Sequence, residues 1–309
     1  MKLLVDYISE SILSSTRTGK AGIEAEMKKY GLNPKRAKLN ADGSIDYDGN
    51  VKLRKYNFAK LPFKFNNVGG DFDCSHNNLT TLDECPKTIK GSFDCSRNNL
   101  VSLKGTPKQI NGDFDCSHNN LTTLDECPDT VKGNFNCSSN KLVNLKGMPK
   151  QFSGVFYCYN NSLTTLDGAP YTINGTFDCA MNMLVNLKGG PKKVNGNYYC
   201  YNNELTTLDG APNMTNGGFN CAYNQLTNLN HCPKTIDGSF NCSNNQLTNL
   251  KGGPVKVEID YACANNKLVS LEGLPKELNF NFNCHNNPGN FTIGDVLKVC
   301  NIDRRNIAV

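Results

Sequence analysis

The chain has 309 residues, of which 38% are hydrophobic, with 27 Gly and no Trp. That is thin for a compact globule and usual for an elongated repeat array with a narrow core. The net charge of +5 is uneven: residues 1–70 hold 13 Lys/Arg against 7 Asp/Glu, and the rest 20 against 21, so the near-neutral body offers no long basic groove for nucleic acid.

In the opening "MKLLVDYISESILSS", Asp6 and Glu10 interrupt the apolar start, which reads as an amphipathic helix and not as a leader peptide. The pattern predicts helices over "LVDYISESIL" and "IEAEMKKYGL", the second stopped by Gly31. No apolar run approaches the roughly 18 residues of a membrane span, so we expect no membrane association and a cytoplasmic chain. "KLNADGSIDYDGNVKLRK" carries two Asp-Gly steps between alternating stretches, which predicts a hairpin or meander shielding the first repeat.

From Cys74 to Cys284 a cysteine recurs every 21 residues, in eleven copies without an insertion. Numbering each copy from its Cys, an aromatic stands at −2 (Phe72 to Phe282), Asn at +3 (Asn77 to Asn287), and Leu at +5 and +8. Pro follows at +12, usually a β-branched residue at +15, and Gly at +17 in most copies. A fixed period of this length predicts a solenoid. Phe-x-Cys alternates inward and outward, so each coil should open with a short strand in a parallel sheet lining a concave side. Asn then turns the chain, and the Leu pair, Pro and Ile line the return. Coils about 4.8 Å apart make a stack on the order of 50 Å long. After Asn287 the pattern ends, and "FTIGDVLKVC" predicts a short capping helix. We expect four segments: a helical part over 1–40, a hairpin cap over 41–69, the solenoid over 70–288 and a C-terminal cap over 289–309.

Phe93, Cys95, Asn98 and Leu100 resemble the leucine-rich repeat, with Phe and Cys replacing two of its leucines. The short period and the Leu-x-x-x-Pro continuation are similar to the compact class found in bacterial secreted effectors. The head "NADGSIDYDGNVKLRKYNFAKLPFKFNNVGGDFDCS" resembles leucine-rich-repeat proteins encoded by large tailed bacteriophages. This likeness implies a protein-binding scaffold acting on a host or phage protein in the host cytoplasm.

Fifteen Cys could be disulfides, metal ligands, nucleophiles or core. Stacked equivalents point in parallel, a poor geometry for bridging. No C-x-x-C pair occurs and the four His do not cluster, so no metal and no cofactor is expected. An inward ladder position suits a small hydrophobe between Phe layers, and Cys85, Cys127, Cys232 and Cys300 read as filler. No Gly-rich phosphate loop or nucleophile-base pattern stands outside the repeat, so no enzyme is expected.

At +9, Asp83, Lys104, Asp125, Lys146, Asp167, Lys188 and Asp209 alternate in sign, which predicts opposite charges side by side on adjacent coils. The variable columns −3, −1, +1 and +2 should face the concave side. There the first coils are acidic (Asp71, Asp73, Asp94, Asp113, Asp115, with Arg97), and the middle ones carry Tyr157, Tyr159, Met181, Tyr199, Tyr201 and Tyr223. Exposed Tyr and Arg are typical of interfaces, and the acidic zone predicts a basic, partly apolar protein partner. Two other readings stay open: nucleic-acid association through Lys28, Lys29, Lys35, Arg36, Lys38, Lys52, Arg54 and Lys55, or a structural, virion-associated role.

Overall fold

The structure, a computed structural model, describes residues 19–309. The predicted helix over "LVDYISESIL" lies outside the described residues. The chain winds as a β-solenoid whose coils begin with two-residue parallel strands, joined in one sheet of 13 strands from Val51–Lys52 to Ile307–Ala308. The register is one coil to the next, Phe93 against Phe114 and Phe114 against Phe135. The constant 21-residue period therefore places like columns side by side.

Most coils bury the same five positions. In one middle coil these are Phe114, Cys116, Leu121, Leu124 and Val131, all at 0% exposure. The Phe rings form a continuous file, with centroids 5.7 Å apart for Phe114 and Phe135 and 5.3 Å for Phe135 and Phe156. All 15 Cys are free and buried. Several ladder thiols donate weakly to the −1 carbonyl of the next coil, as Cys158 Sγ does to Asp178 O at 3.3 Å. Burial pushes these thiols well above the usual range, as at Cys116 and Cys158, and so keeps them as inert SH groups.

The solenoid has a second ladder on its opposite side. The +14 and +15 residues pair in a seven-stranded sheet ending at Gln151–Phe152 and a five-stranded sheet starting at Thr172–Ile173. The interruption falls where Phe152 replaces the usual aliphatic residue and tilts against Phe156 at 5.6 Å. The +17 glycines are needed for close approach between coils. A Cβ at Gly133 would lie 2.8 Å from the backbone N of Asp113 and 2.8 Å from the carbonyl carbon of Gly112.

The N-terminal helix, Lys20–Lys29, buries Met27, and Gly31 adopts φ 71° just beyond it. Ala37–Leu39 and Ile45–Tyr47 form an antiparallel hairpin, and Ile45–Tyr47 continues in parallel onto Phe65–Val68. Val51–Lys52 covers Phe72–Asp73 as an additional coil edge. At the far end, Thr292 and Asp295 form a capping box on the helix Ile293–Val299. Ile307–Ala308 then returns to pair with Phe282–Asn283 and closes the long sheet. No helix among the described residues is long and apolar enough to cross a membrane.

Two coils depart from Phe at −2, and each departure is matched on the coil before it. The Tyr198 and Tyr261 hydroxyls are buried with no hydrogen-bond partner among the described residues. A Cβ placed on Gly190 would come 2.8 Å from Leu166 Cδ1, 3.0 Å from Leu187 O and 3.1 Å from Tyr198 Oη, and one on Gly253 would come 3.0 Å from Leu250 O, 3.1 Å from Leu229 Cδ1 and 3.6 Å from Tyr261 Oη. In the eight other coils ending in Pro at +12, position +11 carries a side chain (Cys85, Thr106, Cys127, Met148, Ala169, Ala211, Cys232, Leu274). The phenol oxygen thus fills space that the preceding coil vacates. Gly190→Ala should cost about 1–2 kcal/mol through overpacking against Leu166, Leu187 O and the phenol, and Tyr198→Phe should recover the phenol's share, about 0.5 kcal/mol. Denaturation of both single variants and the double variant measures this coupling, and strict additivity would overturn the match.

Candidate functional site

The strand end sets which side chains reach solvent on the long sheet. Residue −1 is the last strand residue, and its side-chain oxygen accepts the backbone N–H of +1: Asp73 from Ser75 at 3.0 Å, Asp94 from Ser96 at 2.9 Å, Asp115 from Ser117 at 2.8 Å. This Asx turn releases the chain from the ladder. Asn136, Asn220 and Asn241 do the same for Ser138, Ala222 and Ser243. At −3, Asp71 accepts from Ser92 N (2.9 Å) and Asp113 from Asn134 N (2.7 Å) on the next coil, as Asn134 does from Val155 N (2.7 Å).

The expectation for the +1 column needs correcting. Its small members turn inward and are buried, including Ser75, Ser96, Ser138, Ala180 and Ala222. Tyr159 and Tyr201 are too large for that space and stand half-exposed. The +2 column is left-handed in every coil, with φ between 52° and 57° from His76 to Asn286. Asn tolerates this conformation and occupies five of those positions, whereas Arg97, Met181 and Tyr223 hold larger side chains there. Met181 and Tyr223 are 44% and 57% exposed, so core packing does not require them.

The predicted acidic residues do gather. Asp73, Asp94 and Asp115 lie in direct register, with Asp71 and Asp113 beside them at −3. Burial, then the like charges of Asp115 and Asp73, raise the Asp94 carboxyl above the ordinary carboxylate value. Lys52 is in register with Asp73, and Arg54 Nη1 lies 3.9 Å from its carboxylate. The N-terminal basic residues otherwise disperse over the helix, the turn Pro34–Arg36 and the hairpin. Of the +9 column, Lys188–Asp209 (3.0 Å) and Lys251–Glu272 (2.9 Å) lie within ion-pair distance.

The aromatic zone has an organisation that the residue types alone do not disclose. Tyr157, Asp178 and Tyr199 are consecutive −1 residues in one ladder. Tyr159, Ala180 and Tyr201 are the +1 residues of the same coils. Each Tyr pair is edge-to-face, with centroids 6.2 Å apart for Tyr157 and Tyr159 and 6.3 Å for Tyr199 and Tyr201. Between these two walls lie Ala180 at 0% and Asp178 at 8% exposure. Asp178 is the one −1 residue buried to this degree, and desolvation pushes its carboxyl up to about 6. Its Oδ1 accepts from Ala180 N at 3.0 Å, and Oδ2 has no partner among the described residues. The Tyr199 and Tyr201 phenols are shifted upward, by burial first and by the Asp178 charge second. Asp178 was absent from the residues singled out by sequence. Its signal was there, an acid at −1 between two coils that both carry Tyr at −1 and +1.

No protein-family model matches the chain, and no curated protein matches it. Among solved structures, it resembles YopM, a leucine-rich effector protein from Yersinia pestis, with TM-score 0.51 and 22% identity over 77% of this chain and 73% of that one. YopM from Yersinia enterocolitica gives TM-score 0.44 at 19% identity, covering 77% of this chain and 64% of that one. The leucine-rich repeat domain of APL1B gives 0.43 at 15%, covering 77% and 81%. The fold is therefore a leucine-rich-repeat-like solenoid, with the parallel sheet expected from the period.

Proposed function

We propose that this protein is a non-catalytic protein-binding module whose partner docks on the outer face of the long sheet. The observation that carries this reading is a surplus over what the scaffold needs. Asn satisfies the −1 and −3 backbone bonds in many coils, yet the first coils use Asp, whose charges repel along the ladder. Tyr157 and Tyr199 give up the Asx turn altogether, and Arg97, Met181 and Tyr223 occupy a backbone conformation costly for them. Strain and like-charge repulsion retained at exposed positions point to binding, and Tyr and Arg supply most of the energy at interfaces. The partner surface is basic and partly apolar. In line with the resemblance to phage-encoded repeat proteins, the partner is a host or phage protein met in the host cytoplasm. Nucleic-acid association through the N-terminal segment has less support, because its basic residues are dispersed and two of them face Asp73.

Affinity capture from host cells, read by mass spectrometry, tests this. Replacing Tyr159, Tyr199 and Tyr201 together by Ala should lower recovery of the partner at least fivefold. Tyr171→Ala, which removes a ring 68% exposed beside the opposite sheet, should leave recovery unchanged. Equal recovery with both variants would sink the site.

A further inference from the structure

Three coils on the long sheet build a slot with aromatic walls and a carboxylate floor. The coils of Cys158 and Cys200 supply Tyr157 with Tyr159 and Tyr199 with Tyr201. The coil between them supplies Asp178 and the small Ala180. The two Tyr pairs rise from strands two coil spacings apart, roughly 9–10 Å, with the Asp178 carboxylate between them. We propose that this slot receives a single lysine side chain of the partner protein, its alkyl stem between the Tyr walls and its ammonium on Asp178 Oδ2. This rests on the protein-binding reading above and specifies the group that the middle of that surface selects.

Four features argue for lysine. The ring faces attract a cation brought within about 6 Å, most strongly where water is excluded. Asp178 is 8% exposed, so a carboxylate there lacks most of its hydration, and an incoming cation supplies the missing counter-charge. Arginine is the poorer fit. Its bidentate pairing would have to share Oδ1 with the Ala180 N–H, whereas an ammonium acts as a point charge on one oxygen. The acidic ladder from Asp73 to Asp115 lies two coils away on the same face and favours a partner with further basic groups.

Asp178→Asn removes the charge without disturbing the turn, because Asn already makes this Asx bond at Asn136 and Asn220. The probes are Nα-acetyl-lysine methylamide and its uncharged counterpart, Nα-acetyl-norleucine methylamide, titrated into the full chain carrying isotope-labelled tyrosine rings. The chain has 12 Tyr, and single Tyr→Phe variants assign the four wall signals. The lysine probe should shift those four signals saturably and bind at least tenfold more tightly than norleucine. Asp178→Asn should erase that preference. Norleucine binding as well as lysine, unchanged affinity in Asp178→Asn, or no shift at tens of millimolar probe would each overturn the slot. If the triple Tyr variant weakens partner capture while these titrations fail, the protein-binding reading stands and the lysine slot falls. If the titrations succeed while capture is unaltered, the slot binds lysine but the partner does not dock on this surface, and the protein-binding reading of this face falls.

Discussion

Asn119→Ala is expected to destabilise the solenoid by about 2–4 kcal/mol, although it removes one small side chain from a turn. The Asn119 amide donates to Cys95 O of the preceding coil and to Cys116 O and Ser117 O of its own, each at 3.1 Å. Its side-chain oxygen accepts Leu100 N at 3.0 Å. One buried side chain therefore satisfies four backbone groups that have left the ladder, and the same set recurs at Asn98 and Asn245. Each Cys carbonyl keeps a second donor after the loss, since Cys95 O also accepts from Asn98. Leu100 N would lose its acceptor outright, and that orphaned buried N–H dominates the cost. Asn119→Asp at neutral pH should be at least as damaging, because a carboxylate cannot donate and would face three carbonyl oxygens. Urea denaturation of both variants checks this. A loss below about 0.5 kcal/mol for Ala would show that the amide ladder is dispensable.

The second large effect has the opposite sign. Asp178→Asn should stabilise the protein by about 2–3 kcal/mol near pH 8 and by almost nothing near pH 3. Folding raises the Asp178 carboxyl from about 3.8 to about 6, by desolvation against the hydrogen bond from Ala180 N. The folded chain then holds the proton more tightly than the unfolded chain. Below about pH 3 both forms are protonated and the carboxyl costs nothing. Between about 3 and 6 the unfolded form ionises first and stability falls, and above about 7 the full loss remains. Paired denaturation curves at the two pH values read this directly, and a pH-independent difference would mean that Asp178 is hydrated as an ordinary surface acid. A residue that destabilises its own fold at neutral pH, where Asn would serve the turn, is the kind expected at the proposed binding surface.

These two positions show how differently the molecule is written. Asn119 belongs to a column with no exceptions over eleven coils, and its turn role follows from residue type and period. The left-handed +2 residue beside it could not be read that way. Five Asn there suit a left-handed backbone, but His, Arg, Ser, Met and Tyr disguise it, and only the backbone path shows that all share one conformation. The acids at −1 and −3 were legible as clustered, while the half-burial of the −1 acids and the turn and ladder bonds of both columns were not. Distinguishing the structural oxygen from the spare charge needs the position of each N–H.

By itself the sequence determined the coil period, the inward columns of Phe, Cys, Leu and Ile, and the core role of the thiols. Each of these depends on side-chain size and polarity repeated at one spacing, a local property that survives without coordinates. Only the tertiary structure decided the second ladder with its break at Phe152, the pairing of Tyr198 with Gly190, and the buried carboxylate of Asp178 between four Tyr rings. Those are properties of depth and contact across coils. A column gives a residue's neighbours, but how far their rings shut out water is set by where the side chains come to rest.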